Sequence, residues 1–431
     1  MCKQTLYPIC ISFLFIFVSV PCISVSAKET VTPETVFPFS LEIAKKAQQQ
    51  FPKNADSHFL VGNVYYRAQQ YEDAIAAFKK GLEIKPNQID IVQLIAFIYS
   101  RQSRFEEAAE WYRMTLALNP RAPQASERLG LALVQCNQME EARQAFEDAV
   151  RTDPQDASAH YHLAERYSDE GRLGEAIKEA ELTIQHDNRF PEPYYLLSNI
   201  YRKQGNPDQS KEMLERFRLK KEAEEKWIEQ NEKPDSGEKS AARMAAQTLI
   251  EAGALYYQQK RDKEAESCFL RALSLDAKNE PARFNLAHLY QEKGRNDKAA
   301  ALFGELIVIN ANDYRYHLGM GMILAAQKEW LEAERCLDKA LALQPDAVEA
   351  QRTLARVLLL AHRDPIKALQ LMRQAVEIEK NAENYNYLSQ AYYMNGQLEE
   401  SLEAMGKALE LAPNNPTYRQ RFEKLRAAVM R

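Results

Sequence analysis

Apolar and small residues return along this chain in one order, every 34 positions, about ten times over. The clearest copy runs from Ile89 to Ala122 and places Ile95-Ala96, Tyr99, Ala108, Tyr112 and Pro120 in turn. The next starts 34 residues on, with Leu129-Gly130, Leu133, Ala142, Phe146, Ala149 and Pro154. Each copy reads as two helices joined by a polar turn, with proline closing the second. A period of this length marks a solenoid, in which each unit buries its apolar face on its neighbours, and not a compact enzyme domain. The expected fold is all-α: a helix-turn-helix solenoid forming a superhelix in two lobes.

The units fall in two runs. Five begin at Ala55, Ile89, Pro123, Ala157 and Pro191, giving a first lobe over 55–224. The fifth starts well with Leu197-Ser198 and Tyr201, but Ser210 and Leu214 stand where Ala and an aromatic are usual. Five more start at Ala246, Glu280, Tyr314, Val348 and about Ala382, giving a second lobe over 246–415; the ninth unit holds one extra residue near His362–Pro365. Between the lobes, 225–245 is highly charged and is broken at Pro234-Asp235-Ser236-Gly237, which predicts a projecting helix over 219–233 and a hinge over 234–240. Ahead of the first unit, 28–38 reads as a linker and 39–54 as a capping helix, with Ala44, Ala47 and Pro52 in register with the second half of a unit. The polar segment 416–431 reads as the cap that keeps the other end soluble.

Composition narrows the function. Ala, Leu, Glu, Lys, Arg and Gln dominate and only 14 glycines occur, which favours helix throughout. The net charge of -5 and the absence of a long Lys/Arg block give no nucleic-acid footprint. At the N-terminus, Lys3, the apolar run Ile9–Val20 and the small residues Val25-Ser26-Ala27 predict an export signal over 1–27, cleaved after Ala27. The competing reading is a membrane anchor over 6–25, although the run is short and Pro21 interrupts it. Membrane association is expected only through this segment. Cys136, Cys268 and Cys336 would remain in the mature chain, too few and too far apart for a disulfide framework. The lack of an Asn-x-Ser/Thr acceptor (Asn415-Pro416-Thr417 is spoiled by its proline) leans toward a bacterial envelope.

These residues resemble the tetratricopeptide repeat, over about 55–224 and 246–415. The small residues Gly62, Ala96, Gly130, Gly253 and Gly321 let two helices cross closely, and Phe78, Tyr112, Phe146, Phe269 and Phe303 fill the space toward the next unit. The resemblance implies a concave groove that binds peptides or helices of other proteins. Counting helical faces, the groove side should show Phe59, Asn63, Tyr66, Arg67, Gln93, Phe97 and Arg101, then Tyr161, Glu165, Tyr195, Asn199 and Arg202. In the second lobe it should show Tyr257, Phe284, His288, Arg315, Met322, Arg352, Arg356 and Tyr393. Rings beside Arg and Asn suit apolar side chains and peptide backbone. Members that bind chaperones hold a C-terminal carboxylate with Lys and Asn. Asn63 and Arg128 fit two of those places, but Phe59, Gln124 and Leu94 replace the rest, so that clamp is not expected.

Chemistry for catalysis is not evident. His160-x-His162 with Glu165 suggests a metal, yet His58, His160 and His317 share one place in their units, which points to packing. Glu106-Glu107 and Glu399-Glu400 open second helices, where negative charge suits the helix dipole. No Gly-rich phosphate loop, Gly-x-Ser-x-Gly or His-Glu-x-x-His occurs. No cofactor or metal is expected, and the partners are proteins or peptides. Two roles follow: an exported, non-catalytic adaptor, or an accessory assembly subunit of an envelope polysaccharide-export or secretion complex. Trp227 would be the docking point of the second, unless it packs back onto the fifth unit.

Overall fold

The computed structural model describes residues 31–231 and 237–430. The export signal or anchor, most of Pro234–Gly237 and Arg431 lie outside them. A first helix, α1 (Val36–Gln50), precedes the units. Lobe 1 is built from α2 (Ala55–Arg67) and α3 (Tyr71–Ile84), α4 (Ile89–Arg101) and α5 (Phe105–Leu118), α6 (Ala125–Gln135) and α7 (Met139–Thr152), α8 (Ala157–Asp169) and α9 (Leu173–His186), and α10 (Glu192–Lys203) with the long α11 (Pro207–Asn231). Lobe 2 has α12 (Gly237–Gln258) and α13 (Asp262–Leu275), α14 (Glu280–Glu292) and α15 (Asn296–Ile309), α16 (Tyr314–Ala326) and α17 (Trp330–Leu343), α18 (Val348–Leu360) and α19 (Pro365–Ile378), and α20 (Ala382–Met394) with α21 (Leu398–Leu411). The cap is α22 (Pro416–Val429).

Local chemistry sets these boundaries. Several first helices are N-capped by a short polar side chain, as at Asn54, Asp156, Asn279, Asp313 and Asn381. Second helices have no such cap in most units but open on acids, including Glu72-Asp73, Glu106-Glu107 and Glu399-Glu400, as the dipole favours. The turn inside a unit passes through a left-handed residue at one fixed place, among them Gln69, Ser103, Asn137 and Gly171. The extra residue of the ninth unit lies in that turn, where His362 and Asp364 both have positive φ and Asp364 caps Lys367.

Four expectations are corrected. The third unit's first helix starts at Ala125, because Pro123 is followed by Gln124 at φ 58°. The cap begins at Val36, inside the expected linker. The segment Gly237–Ser240, expected as hinge, is the first turn of α12, which begins nine residues before Ala246. The fifth unit's second helix does not stop: Glu222 stands where Pro86, Pro120 and Pro154 end the others, and α11 runs on to Asn231 with no buried residue.

Within a unit, the second helix sets its ring on the small residue of the first. A methyl added at Gly130 would meet the Phe146 ring at 2.6 Å, and Gly253 stands under Phe269 in the same way. Phe78, Tyr112, Phe146 and Phe303 are all but inaccessible. In the fifth and tenth units paired serines replace the usual small pair: Ser198 Oγ donates to the Ser210 carbonyl and Ser389 Oγ to the Ser401 carbonyl, each at 2.8 Å.

A second recurring device ties several units, and the cap, to the turn before them. The side chain three or four residues into the first helix donates to the carbonyl six positions earlier. His58 bonds Pro52 O at 3.0 Å, His160 bonds Pro154 O at 3.1 Å and His317 bonds Ala311 O at 3.0 Å. Gln351 and Arg419 make the same bond to Pro345 and Pro413. The shared place of the three histidines is therefore structural. His160 goes further: its Nδ1 lies 2.6 Å from Glu179 Oε2, deep in the fold. A carbonyl only accepts, and so does an ionised carboxylate, so the two bonds together favour the imidazolium form of the ring. The Glu179 bond raises the His160 pKa above its usual value, against the opposing effect of burial.

A group whose pKa is raised by folding contributes most below its unfolded value and loses that contribution as pH rises through the folded one. His160→Gln should keep the carbonyl bond, as Gln351 does, and lose the charged pair. The variant should be less stable by about 1.5–3 kcal/mol below pH ~6, a gap that closes as pH passes the raised pKa. Denaturant unfolding as a function of pH measures it; a pH-independent gap would rule out the imidazolium.

Successive first helices touch one another, as α8 does α10, α14 does α16 and α18 does α20, while successive second helices stand further apart. A stack that is tighter on one side curves toward that side, so the first helices line the concave face. The two lobes are not joined end to end. The helix α12 pairs with α13 to start lobe 2, and it also packs on α1 and on α2. Ala44 and Ala47 of α1, Leu60, Val61 and Val64 of α2, and Leu249 and Ile250 of α12 share one buried core that continues to α16. Thus α1 behaves as the second helix of a unit whose first helix is α12, and both lobes diverge from α12.

Candidate functional site: the concave face

The residues expected on the groove fall into three environments. The first is the interior. Phe59 is 8% exposed, with its ring laid on Gly81 of α3, so it is a packing residue and not a groove contact. The second is the junction between lobes. Asn63 Nδ2 donates to Glu251 Oε2 at 3.2 Å, Arg67 Nη1 donates to Thr248 Oγ1 at 3.3 Å, and the Arg67 guanidinium pairs with Glu251. The groove side of the first unit is thus occupied by α12, and Asn63 and Arg67 serve the fold. Tyr66 is half-buried against the lobe 1 core, its ring 6.3 Å from Tyr71.

The third environment is open. In lobe 1, Phe97 is half-buried beneath the Arg128 guanidinium, 5.0 Å from its ring. Together with Phe105, Glu127, Leu131 and Gln135 they line a cleft of about 610 Å³. Arg101 is exposed one turn further along α4. Gln93 is spent on the Pro123 carbonyl at 2.9 Å. Further along, Tyr195 is 50% exposed with Phe217 at 5.4 Å, and Asn199 accepts from Arg202 at 2.9 Å. Tyr161 rests on Phe190 and donates to Glu165 at 3.0 Å; burial, with Glu165 beside it, drives its hydroxyl well above the ordinary phenol range.

In lobe 2, burial and then a hydrogen bond with Glu292 push the Tyr257 hydroxyl up to about 12. Phe284 gathers His288 at 4.5 Å, Tyr316 at 5.7 Å and the exposed Arg315 at 5.3 Å. Burial among these rings lowers the His288 pKa. Met322 is half-buried, and Arg352 pairs with Glu383 at 3.2 Å. Arg356 and Tyr393 stand at the far end, on a separate cavity. Trp227 is 64% exposed on the extension of α11 and does not pack back onto the fifth unit.

The metal alternative fails on geometry. The His160 ring turns to Glu179 and Pro154, whereas His162 stacks on Phe146 at 5.4 Å and bonds Glu165. Among the described residues no group of three His, Cys, Asp or Glu is placed to hold a metal ion, the three cysteines are free, and no helix is long and apolar enough to cross a membrane.

Glu251 and Thr248 escaped the sequence reading because they lie outside any groove count within lobe 1. The apolar spacing Ala241, Ala245, Ala246, Leu249 carried the information: it extends the core stripe of α12 upstream of the unit. Arg128, weighed only for the carboxylate clamp, reaches over Phe97 from the next helix pair, and Arg421 and Lys424 were missed because both reach across from the cap.

An open solenoid whose polar groups pair locally, and do not converge on a reacting centre, is the architecture of a binding scaffold. The chain belongs to the tetratricopeptide repeat family. Models described as tetratricopeptide repeat match residues 55–88, 98–157, 128–188, 191–217, 256–323, 321–385 and 382–415. A stretch of 132 residues, 30% of the chain, is 29% identical to the human protein O-mannosyl-transferase TMTC3, covering 14% of that protein. Another of 106 residues, 25% of the chain, is 32% identical to cellulose synthase operon protein C of Pseudomonas fluorescens, covering 8% of it. The crystal structure of MamA aligns over 38% of this chain and 97% of its own, with a TM-score of 0.37 and 23% identity. The matches thus span a small part of these sequence relatives and reflect shared repeats.

Proposed function

We propose that the protein is a non-catalytic adaptor acting outside the cytoplasm, in a bacterial periplasm or secreted, and that it holds peptide or helical segments of partner proteins on the open parts of its concave face. The observation that carries this reading is the cleft of units two and three, where the Arg128 guanidinium lies over the Phe97 ring, with Arg101 exposed one turn along α4 from Phe97. A ring offers an apolar side chain a surface, and guanidinium groups offer donors to backbone carbonyls. The export part rests on the run Ile9–Val20 and on Val25-Ser26-Ala27.

The test is purification of the full-length chain from its native envelope, with mass spectrometry of its N-terminus and its partners. A start at Lys28 with a stoichiometric protein partner supports the reading; a cytoplasmic location or no partner rejects it. Phe97→Ala with Arg101→Ala should weaken partner binding at least tenfold, about 1.4 kcal/mol, and leave the melting curve in place. Equal loss of stability and binding would make these residues part of the packing.

A second reading, an assembly subunit of an envelope polysaccharide-export or secretion complex, is favoured by one feature. Trp227 presents a large ring to solvent on α11, with Leu219 and Ile228 exposed on the same helix. Trp227→Ala would then remove co-purifying membrane components and spare groove partners.

A further inference from the structure

The end of lobe 2 contains a cavity of about 620 Å³ between α18, α20, α21 and the cap α22. Its volume lies in the range of ligand sites, of order 300–1,000 Å³. The floor is apolar, formed by Leu359, Met405 and Leu425. The two serines in it are already satisfied: Ser389 and Ser401 donate to each other's carbonyls, both at 2.8 Å. At the mouth stand three of the large apolar side chains that the fold leaves in water, Leu360, Tyr393 and Met394. Methionine adapts its shape to what it covers.

The charge of this cavity is one-sided. Arg356 of α18 and Arg421 and Lys424 of α22 line it, and no Asp or Glu does, in a chain whose net charge is -5. Arg421 is held in place by a neutral group, its Nη1 donating to Asn386 Oδ1 at 2.6 Å. Arg352, one turn from Arg356, is neutralised by Glu383, whereas Arg356 and Lys424 have no carboxylate within ion-pair distance among the described residues. Several other surface cations are matched by an acid three or four residues away, as in Arg172 with Glu175 and Lys407 with Glu403. Three unmatched cations around an apolar well are complementary to a ligand that carries both an apolar side chain and negative charge.

We propose that this cavity binds an acidic peptide segment of a partner protein, with a bulky apolar side chain seated against Met405 and Leu425 and flanking carboxylates at Arg356, Arg421 and Lys424. The assignment rests on the adaptor reading above and adds a second, chemically distinct site to it, some seven units removed in sequence from the cleft at Phe97. The cap then has a binding role as well as a solubilising one, since two of the three cations belong to α22.

The test uses the full chain and fluorescence anisotropy with three labelled octapeptides. The first carries a central Leu-Phe pair flanked by Asp and Glu, the second replaces every acid with Lys, and the third replaces Leu-Phe with Ala-Ala. The acidic apolar peptide should bind at least tenfold tighter than either control, and its affinity should fall with added salt. Arg356→Glu and Lys424→Glu should each weaken it at least fivefold with an unchanged melting curve, because neither side chain supports the fold. Phe97→Ala with Arg101→Ala should leave it unchanged. Equal affinity for the lysine peptide, no binding of any peptide, or indifference to Arg356→Glu and Lys424→Glu would overturn the proposal. Failure of the acidic peptide to bind, with envelope partners still retained by the unmodified chain, would overturn this site alone and leave the groove reading standing, whereas failure of the groove reading shows as the absence of any envelope partner.

Discussion

Leucine in place of Gly130 should destabilise the protein by about 3 kcal/mol or more, at the upper end of what overpacking costs. The reason is local and steric. Even a methyl at this position would stand 2.6 Å from the Phe146 ring, itself fully buried between α7 and its neighbours. A leucine needs three further carbons in the same place, so α6 and α7 must separate. That separation breaks the contact of α7 with α8 as well. Gly174 supplies the control, because it lies in the first turn of α9 and a methyl there meets nothing within 4 Å. Gly174→Ala should be neutral or stabilising by about 0.5–1 kcal/mol, through the lost freedom of the unfolded chain. Thermal melts of the two variants, followed by circular dichroism, decide the matter. A harmless Gly130→Leu would mean that the ring does not sit where the helix pair places it.

The second large effect is expected at Leu249, whose side chain is inaccessible in the core that joins α1 and α2 to α12 through α16. Leu249→Ala should cost about 2–5 kcal/mol, the range for a truncated buried leucine. Its reach distinguishes it from an ordinary core mutation. In a linear stack each unit feels only its neighbours, so damage stays near its site. Because α12 begins lobe 2 and also completes the pair with α1, damage there should spread into both lobes. Hydrogen exchange should quicken in α2 and α4 as well as in α14. Leu354→Ala, equally buried in α18, should quicken exchange in lobe 2 only. Effects confined to lobe 2 in both variants would show that the lobes are held together by something other than the α12 core.

Much of this architecture is written in short-range pattern. The small residue at Gly62, Gly130 or Gly253 and the ring sixteen positions later identify each helix pair, because the two are in direct contact within one unit. The turn, the proline stop and the extra residue near His362 are equally local. The candidate site was harder to read. A helical wheel tells which side of α2 faces the groove, and Asn63 and Arg67 do face it. It does not tell that a helix some 180 residues away in sequence fills that groove and supplies Glu251. Phe59 went astray for another reason: Gly81 removes the side chain that would have kept its ring outside, and the ring folds into the space. The cavity at Arg356 depends on where α22 lies, which no single unit encodes.

The meeting of both lobes on α12 has a consequence for assembly. A simple helical-pair stack has one leading and one trailing end, and these differ, so that copies can in principle add head to tail without limit. Here the leading ends of both lobes are consumed on each other, and the described chain presents two trailing ends, at α11 and at α22. Head-to-tail addition of the ordinary kind, a leading end of one copy stacking on a trailing end of the next, therefore has no free leading end to use among the described residues.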